Sequence, residues 1–385
     1  MLKLGNKFAK TETSIFTTMS ELAINENAVN LSQGFPDFDG PDFIRKKAVW
    51  AMQNKFNQYA NSPGLPMMRE SVKEHFEKFY RTKFDPKNEV TIYSGATEAL
   101  FVTFTTLVEQ GDECIVFDPV YDSYAPVIRL SGGTVKTVSI ELPSYKVDFE
   151  KLSSLFNEKT KLLVLNTPQN PTGKVFTVEE LKKIAELCKK WNVIAICDEV
   201  YEHLIFDEAK HIPLATIEGM RDRTVTISST GKTFSYTGWK IGFSLACEEL
   251  TRRLRACHQF VTFATSTPFQ VAMSDALKVG DEFYEEFQET YLEKRNLLFE
   301  ILQNTGFKPI QPQGTYFILA DYSNFSDEDD FTFAQRLTRQ AKVASIPVSV
   351  FYTNKDSSQN LLRFCFCKGN ETLEEAGEKL YKFSH

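Results

Sequence analysis

The feature that most constrains the fold is an alternation, in the middle of the chain, between short apolar runs and longer amphipathic stretches. Four runs of strand length occupy residues 113–117, 161–165, 193–197 and 224–228, and helical spacing occurs at residues 97–109 and 178–190. Continuous apolar strands separated by amphipathic helices predict a mainly parallel sheet covered on both faces. Ligands of such sheets bind beyond the carboxyl ends of the strands.

Residues 281–385 follow a different pattern. A long helical stretch at 281–304 precedes a turn at Gly314, a strand at 315–319, an acidic loop, another helix, and strands near Val348 and Leu362. This order predicts a smaller α+β unit. We therefore expect an N-terminal segment (1–44) that joins a small C-terminal domain (281–385), and a large domain between them (45–280).

The composition excludes several classes of function. With 42% hydrophobic and 25% charged residues among 385, the chain is typical of a soluble globular protein, and its net charge of −7 gives no reason to expect nucleic-acid binding. No apolar run is long enough to span a bilayer. Seven scattered cysteines indicate a reducing, cytoplasmic location, with Cys365 and Cys367 as buried structural thiols, and five widely spaced histidines do not suggest a metal site.

Three polar residues follow the predicted strands. Asn170 lies in a Pro- and Gly-containing turn, and Asp198 and Lys232 come just after the third and fourth apolar runs. A buried carboxylate needs a cationic partner, and a desolvated amine becomes a Schiff-base former. Each residue alone also has an ordinary explanation: a turn asparagine, a helix cap and a surface lysine. Gly231-Lys-Thr resembles the end of a P-loop, but Thr226 stands where that motif needs glycine.

Three further features suggest binding of anions. Ser94-Gly-Ala-Thr-Glu98 opens a helix whose free N–H groups could hold a phosphate, and Lys240 could add a point charge. Arg363 lies within an apolar strand, where an inward side chain would bind a carboxylate and an outward one would be solvated.

With these residues taken together, the chain resembles the class I/II aminotransferases of pyridoxal-phosphate fold type I. Within that family it is most similar to the methionine and kynurenine/glutamine aminotransferases. The matching runs span almost the whole chain: Asn30-Leu-Ser-Gln-Gly-Phe-Pro-Asp-Phe38, Asn57-Gln-Tyr59, Gly95-Ala-Thr-Glu98, Asp118-Pro-Val-Tyr-Asp-Ser-Tyr124, Asn166 to Lys174, Asp198-Glu-Val-Tyr201, Gly231-Lys-Thr-Phe234, Gly238-Trp-Lys-Ile-Gly242 and Leu362-Arg-Phe364. The resemblance implies a large domain with a mainly parallel seven-stranded sheet, a smaller α+β domain, and pyridoxal 5′-phosphate as cofactor.

The same resemblance implies roles at the cofactor. Lys232 would hold it as a Schiff base and move the substrate proton, while Asp198 would keep the pyridine nitrogen protonated. Asn170 and Tyr201 would bind the ring hydroxyl oxygen, and Tyr121 would stack on the ring. The phosphate would be held by Ala96, Thr97, Ser229 and Lys240, and by Tyr59 from a partner subunit of a homodimer.

Substrate roles are implied as well. Arg363 would clamp the α-carboxylate with help from Gly34 and Asn170, and Phe16, with Phe263 from the partner, would line the side-chain pocket. Two departures from the family pattern stand out. Lys240 stands where many relatives have arginine, and it lacks the paired N–H groups of a guanidinium. Phe16 stands where those relatives often have tryptophan, which puts a preference for aromatic substrates in doubt.

The expected reaction is a ping-pong transfer of the amino group of methionine, glutamine, kynurenine or an aromatic amino acid to a 2-oxo acid. One alternative is a cysteine-S-conjugate β-lyase on the same scaffold, which shares proton loss at Cα. Another is a non-enzymatic, pyridoxal-phosphate-sensing domain of a regulator.

Overall fold

The computed structural model describes residues 13–354 and 360–385. In these residues the α-helices are α1 (Ile15–Asn25), α2 (Asp42–Gln53), α3 (Pro66–Tyr80), α4 (Gly95–Leu107), α5 (Tyr124–Leu130), α6 (Phe149–Leu155), α7 (Val178–Trp191), α8 (Thr230–Thr233), α9 (Glu248–His258), α10 (Thr267–Ala276), α11 (Asp281–Asn304), α12 (Asp330–Gln340) and α13 (Asn370–Ser384). The strands are β1 (Val29–Asn30), β2 (Val90–Ser94), β3 (Glu113–Asp118), β4 (Thr134–Glu141), β5 (Lys146–Val147), β6 (Thr160–Asn166), β7 (Ile194–Asp198), β8 (Thr224–Ser229), β9 (Ile241–Leu245), β10 (Lys308–Ile310), β11 (Phe317–Asp321), β12 (Val343–Ala344), β13 (Ile346–Pro347) and β14 (Leu361–Cys365).

The chain divides into two compact units. The larger comprises Phe35–Leu292 and Pro312–Thr315, and the smaller comprises Met1–Gly34, Glu293–Gln311 and Tyr316–His385. These limits differ from the boundaries expected at 44/45 and 280/281. The reason at the second boundary is that α11 is one continuous helix whose first half belongs to the larger unit and whose second half belongs to the smaller.

The larger unit is built on an eight-stranded sheet in the order β2-β9-β8-β7-β6-β3-β4-β5. Strands β8, β7, β6, β3 and β4 run parallel to their neighbours in that series, as the apolar runs predicted, while β9 and β5 pair antiparallel. The expected count of seven was one too low, because the two-residue strand β5 is too short to give an apolar pattern. It folds back onto the edge strand β4.

Apolar side chains cover both faces of this sheet. On one face Tyr93 of β2 belongs to the same buried apolar cluster as Val164 and Ile196, and on the other Ile92 of β2 belongs to a cluster with Phe243. Consecutive residues of a strand point to opposite faces, so the two clusters lie on opposite sides. Burial on both sides explains why these strands read as continuous apolar runs.

Local signals fix the helix ends that the sheet needs. Helix α7 begins with a capping box, in which the hydroxyl of Thr177 accepts from the N–H of Glu180 and the Glu180 side chain accepts from the N–H of Thr177. It ends at Asn192, which adopts the left-handed conformation and returns the chain to β7.

In the smaller unit, β10, β11, β14 and β13 form an antiparallel sheet, and β1 pairs with β12 in parallel. The strand expected near Leu362 is β14. The one expected near Val348 is the two-residue strand β13, which ends at Pro347, and Val348 begins a 3-10 turn. Proline at 347 cannot donate to a sheet, so the strand ends there.

Candidate active site

Asn166, Asp198 and Ser229 end the adjacent parallel strands β6, β7 and β8 at one edge of the sheet. The side-chain amide of Asn166 donates to the carbonyl of Asp198 over 2.8 Å, and its Oδ1 accepts from the backbone N–H of Asn170 over 2.7 Å. Asn166 thereby ties the loop that carries Asn170 to the end of the neighbouring strand.

The carboxylate of Asp198 is buried and held by a tyrosine. Its Oδ2 accepts a 2.6 Å hydrogen bond from the hydroxyl of Tyr124, at the start of α5, and Oδ1 accepts one from the N–H of Val200. Burial raises the pKa of Asp198, while the Tyr124 and Val200 hydrogen bonds and the positive charge of Lys232 act to lower it. A carboxyl group in this balance becomes fully ionised when a further cation lies beside it.

Lys232 lies on the one-turn helix α8 directly after β8, so a strand end positions it as it does Asp198. Its Nζ lies 5.8 Å from the ring centroid of Tyr201, and its charge acts on Asp198. A small cleft opens beside these strand ends and is lined by Phe117, Val120, Tyr121, Tyr124, Val164, Asn166, Gln169 and Asn170. Lysine, aspartate and the predicted stacking tyrosine thus belong to one region.

The N-terminus of α4 forms the second part of this region. Ser94, at the N-cap, turns its hydroxyl to Thr265 (3.0 Å), so the N–H groups of Ala96 and Thr97 in the first turn are left for another acceptor. A Cβ on Gly95 would lie 3.2 Å from Nζ of Lys240, which places that ammonium group at the helix end. A cation beside free helix N–H groups makes a binding place for phosphate.

Two further contacts shape this place. A Cβ on Gly242 would lie 2.5 Å from the backbone N of Ala96, so only glycine lets β9 approach the helix end this closely. The hydroxyl of Ser229 accepts from the N–H of Gly231 and donates to the carbonyl of Ile241. Ser229 is therefore at the strand end as expected, with its hydroxyl engaged by the backbone.

In the smaller unit, Arg363, Gly34 and Phe16 lie together. Arg363 is buried and faces inward, with its guanidinium carbon 3.9 Å from the ring centroid of Phe317 and 5.2 Å from that of Phe16. A Cβ on Gly34 would lie 2.8 Å from Phe317, and the hydroxyl of Tyr316 donates to the Gly34 carbonyl. The question left open by the sequence, whether Arg363 faces inward or outward, is thus answered.

Tyr59 and Phe263 form an exposed aromatic pair in the larger unit. Their ring centroids are 5.7 Å apart in an edge-to-face arrangement, and Tyr59 is 86% exposed. Neighbouring Phe260 is 85% exposed. Large aromatic side chains that are this exposed and adjacent are typical of an interaction surface.

Sequence reasoning missed the roles of Tyr124 and Asn166 as partners of Asp198. Both lie in runs that carry the family resemblance, and the signal that would have found them is a polar side chain next to each strand end. The hydroxyl of Tyr124 is 74 residues from Asp198 in sequence, so pattern alone could not pair them.

Comparison with known proteins identifies the family to which the chain belongs. The family model for aminotransferase class I and II matches residues 26–380. The chain belongs to this family. It is 40% identical to methionine aminotransferase of Escherichia coli K12, over 97% of each chain, and 36% identical to human kynurenine–oxoglutarate transaminase 3, over 97% of this chain and 88% of that one. Its structure superposes on the crystal structure of YbdL from Escherichia coli, whose description identifies a methionine aminotransferase function, with a TM-score of 0.96 at 39% identity, covering 99% and 100% of the two chains.

The protein is therefore a fold type I, pyridoxal-phosphate-dependent aminotransferase, which exchanges an amino group between amino acids and 2-oxo acids. The residues present fit this cofactor. The buried acid suits a basic ring nitrogen, and the amine at the next strand end suits an aldehyde. The lysine at a helix N-terminus suits a phosphate. Within the described residues, no helix is both long and apolar enough to cross a membrane.

Proposed function

We propose that Lys232 and Asp198 form the catalytic centre of this aminotransferase, with Tyr201, and that its amino donors are methionine, glutamine, kynurenine or aromatic amino acids. The observation that carries the proposal is that acid and amine follow the adjacent parallel strands β7 and β8, in the same region as the helix N-terminus and Lys240. When bound, pyridoxal phosphate supplies an aldehyde carbon that takes the nitrogen and a ring that withdraws electrons.

Asp198 keeps a proton on the pyridine nitrogen. A buried carboxylate is costly unless a cation lies beside it, and the protonated ring supplies one. The hydrogen bond from Tyr124 fixes the orientation of the carboxylate, so that its other oxygen, which also accepts from the N–H of Val200, is turned away from Tyr124 and can face the ring. Asn170, tied to the strand end by Asn166, and Tyr201 donate to the ring hydroxyl oxygen.

Lys232 would hold the aldehyde carbon of the cofactor and would move the proton at the substrate Cα. To accept that proton its amine must be neutral. Tyr121 stacks on the ring. The phosphate is anchored by the Ala96 and Thr97 N–H groups, by Ser229 and by Lys240, which supplies charge without the fork of an arginine.

Arg363 binds the substrate α-carboxylate, with Gly34 and Asn170. Support comes from its burial among the aromatic rings of Phe16, Phe317 and Phe351, which hold the guanidinium in one orientation by cation–π contacts. Phe16 at this place gives the side-chain pocket an apolar wall, which suits unbranched, sulfur-containing or aromatic donors better than a carboxylate.

A panel of amino donors tests the substrate class. We expect kcat/KM for methionine, glutamine, kynurenine and phenylalanine to exceed that for aspartate by about 100-fold or more, the cost of leaving a charged group in an apolar pocket. A clear preference for aspartate would overturn the proposal. In parallel, pyruvate release from a cysteine conjugate without any oxo acid measures the competing β-lyase reaction.

The proposal includes a homodimer with shared active sites, in which Tyr59 binds the phosphate of the partner subunit and Phe263 lines its substrate pocket. The exposed pair of Tyr59 and Phe263 supports it. Mixing Tyr59→Phe chains with Lys232→Ala chains tests it directly. Exchange of subunits creates one site with an intact lysine and an intact tyrosine, so activity above that of either variant is expected. Activity that stays at the sum of the two would show that Tyr59 acts within its own chain.

A cytoplasmic location also belongs to the proposal. All seven cysteines lie in the described residues and none of them is in a disulfide, as in a reducing compartment. Fractionation of the source cells, with the activity recovered in the cytoplasm, is the expected result, and recovery from an exported fraction would contradict it.

A further inference from the structure

Two histidines and a glutamate lie together in the larger unit, beneath the turn that follows β7. His75 belongs to α3, and Glu202 and His203 lie just after Tyr201 in that turn; all three are at most 6% exposed. Nε2 of His75 is 3.0 Å from Nε2 of His203, and Oε2 of Glu202 is 3.8 Å from the first and 4.0 Å from the second. Three potential ligand atoms thus form a compact triangle.

We propose that His75, Glu202 and His203 form a buried site for a divalent transition-metal ion, with zinc as the ion it suits best. The circle through the three ligand atoms, drawn from their three separations, has a radius of about 2.1 Å. This radius equals the bond length of zinc to imidazole nitrogen and carboxylate oxygen, roughly 2.0–2.2 Å. An ion near its centre would reach all three atoms without moving the backbone.

The surroundings orient the ligands. Glu202 accepts from the hydroxyls of Tyr80 (2.6 Å) and Ser228 (2.7 Å), and Nδ1 of His75 lies 3.4 Å from the hydroxyl of Tyr284. Partners of this kind fix the ring tautomer and aim the other nitrogen at the metal. Phe79 packs against both histidine rings with centroids 4.8 Å away, an apolar shell that excludes competing water.

The donor set also selects the class of ion. Two imidazoles and one carboxylate favour zinc and its neighbours over magnesium and calcium, which prefer oxygen ligands throughout. Such a three-ligand set leaves a further coordination position for water. Since the turn bearing Glu202 and His203 also carries Tyr201 and begins at Asp198, the ion would fasten α3 to the segment that supports the catalytic groups. We infer a stabilising role, apart from the transfer of nitrogen.

The test uses the intact holoenzyme, without an affinity tag that binds metal. We expect about one zinc per chain by elemental analysis after dialysis against zinc and then buffer. Cobalt(II) bound at this site should give visible bands at longer wavelengths than the cofactor absorbs. His75→Asn should lower affinity for zinc more than about 100-fold, and Tyr80→Phe, which removes an orienting partner, by roughly 10–100-fold. His385→Asn, at an exposed histidine, is the matched control and should bind as the wild type does.

A second readout covers variants that fold poorly. Zinc should raise the melting temperature of the wild type and leave that of Glu202→Gln unchanged, because the ion binds only the folded chain with its full ligand set. Zinc content far below one per chain in the wild type, or full retention of zinc by the His75 variant, would overturn the proposal. Neither result depends on aminotransferase activity, so the function stands or falls separately.

Discussion

Tyr124 donates its phenolic hydrogen to Oδ2 of Asp198 across 2.6 Å, and the two residues are 74 positions apart in the chain. This bond joins the start of α5 to the end of β7. It also opposes the rise in the pKa of Asp198 that burial causes. In the proposed site, an acid that must stay ionised beside the cofactor would therefore depend on a tyrosine that does not touch the substrate.

Replacing Tyr124 by phenylalanine should lower kcat by about 10–100-fold, since a hydrogen bond to a charged group contributes about 1.5–3 kcal/mol. The pKa of Asp198 should rise, so the acid limb of the pH profile of kcat/KM should move to higher pH. Tyr322→Phe removes another phenolic hydrogen bond, to the carbonyl of Glu328, and serves as the control. An unchanged pH profile for the Tyr124 variant would contradict this role.

Asp198→Asn should stabilise the cofactor-free enzyme at neutral pH while abolishing most activity. Burial raises the pKa of Asp198 in the folded state above the unfolded value of 3.8. Between those two values the folded chain holds a proton that the unfolded chain has released, so stability is lost as pH rises through this window. Asparagine does not ionise, so the variant does not lose this stability. The difference in free energy of unfolding by urea, variant minus wild type, should therefore be larger near pH 7 than near pH 4.

Asp327→Asn, at an exposed aspartate, controls for the change of charge. Pyridoxal phosphate should reverse the order, because the ionised acid then has its cation. The contrary result, without cofactor, is a wild type that becomes more stable relative to the variant as pH rises. It would show that groups of the protein already stabilise the ionised carboxylate.

Gly95→Ala separates backbone strain from loss of cofactor binding. Gly95 has a φ of +79°, and an added Cβ would press on Cε of Lys240 at 3.0 Å. Gly111, with a φ of +95° and nothing within 4 Å of its Cβ position, is a matched control. Both alanine variants should lose about 1–2 kcal/mol of stability, the cost of a left-handed residue with a side chain. Only Gly95→Ala should also raise the Kd for pyridoxal phosphate, by about tenfold or more; equal affinities in the two variants would refute a phosphate site there.

Arg363→Lys should raise KM for amino acids and oxo acids alike by roughly 100-fold, because lysine cannot reproduce the bidentate fork or the stacking on Phe317. The visible spectrum of the bound cofactor should hardly change. Arg339→Lys, at an exposed arginine of α12, is the control. Steady-state kinetics with both substrates check the prediction, and an unchanged KM would remove Arg363 from the substrate site.

The sequence predicted the sheet well because β3, β6, β7 and β8 are buried on both faces and therefore read as uninterrupted apolar runs. The same burial hid other features. All five residues of β14 are buried, so alternation could not tell which way Arg363 faces. Two-residue strands such as β5 carry too little pattern to be recognised.

Site residues that act through others were also hidden. Tyr124 binds the carboxylate of Asp198, and Asn166 binds the backbone of both Asp198 and Asn170. Local sequence spacing does not indicate these pairs. His75 and His203 are 128 residues apart, so five scattered histidines gave no hint that two of them face each other. Contacts between distant segments follow from the packing of the sheet, and sequence spacing does not record them.

The most direct test is to find which amine holds the cofactor. The holoenzyme is reduced with borohydride, digested, and analysed by mass spectrometry. We predict a single pyridoxyl-phosphate label on the peptide that contains Lys232, and a Lys232→Ala chain that takes up no label, while Lys182→Ala, at an exposed lysine of α7, labels as the wild type does. A label on Lys240 or on any other lysine, or undiminished labelling of the Lys232 variant, would contradict the account.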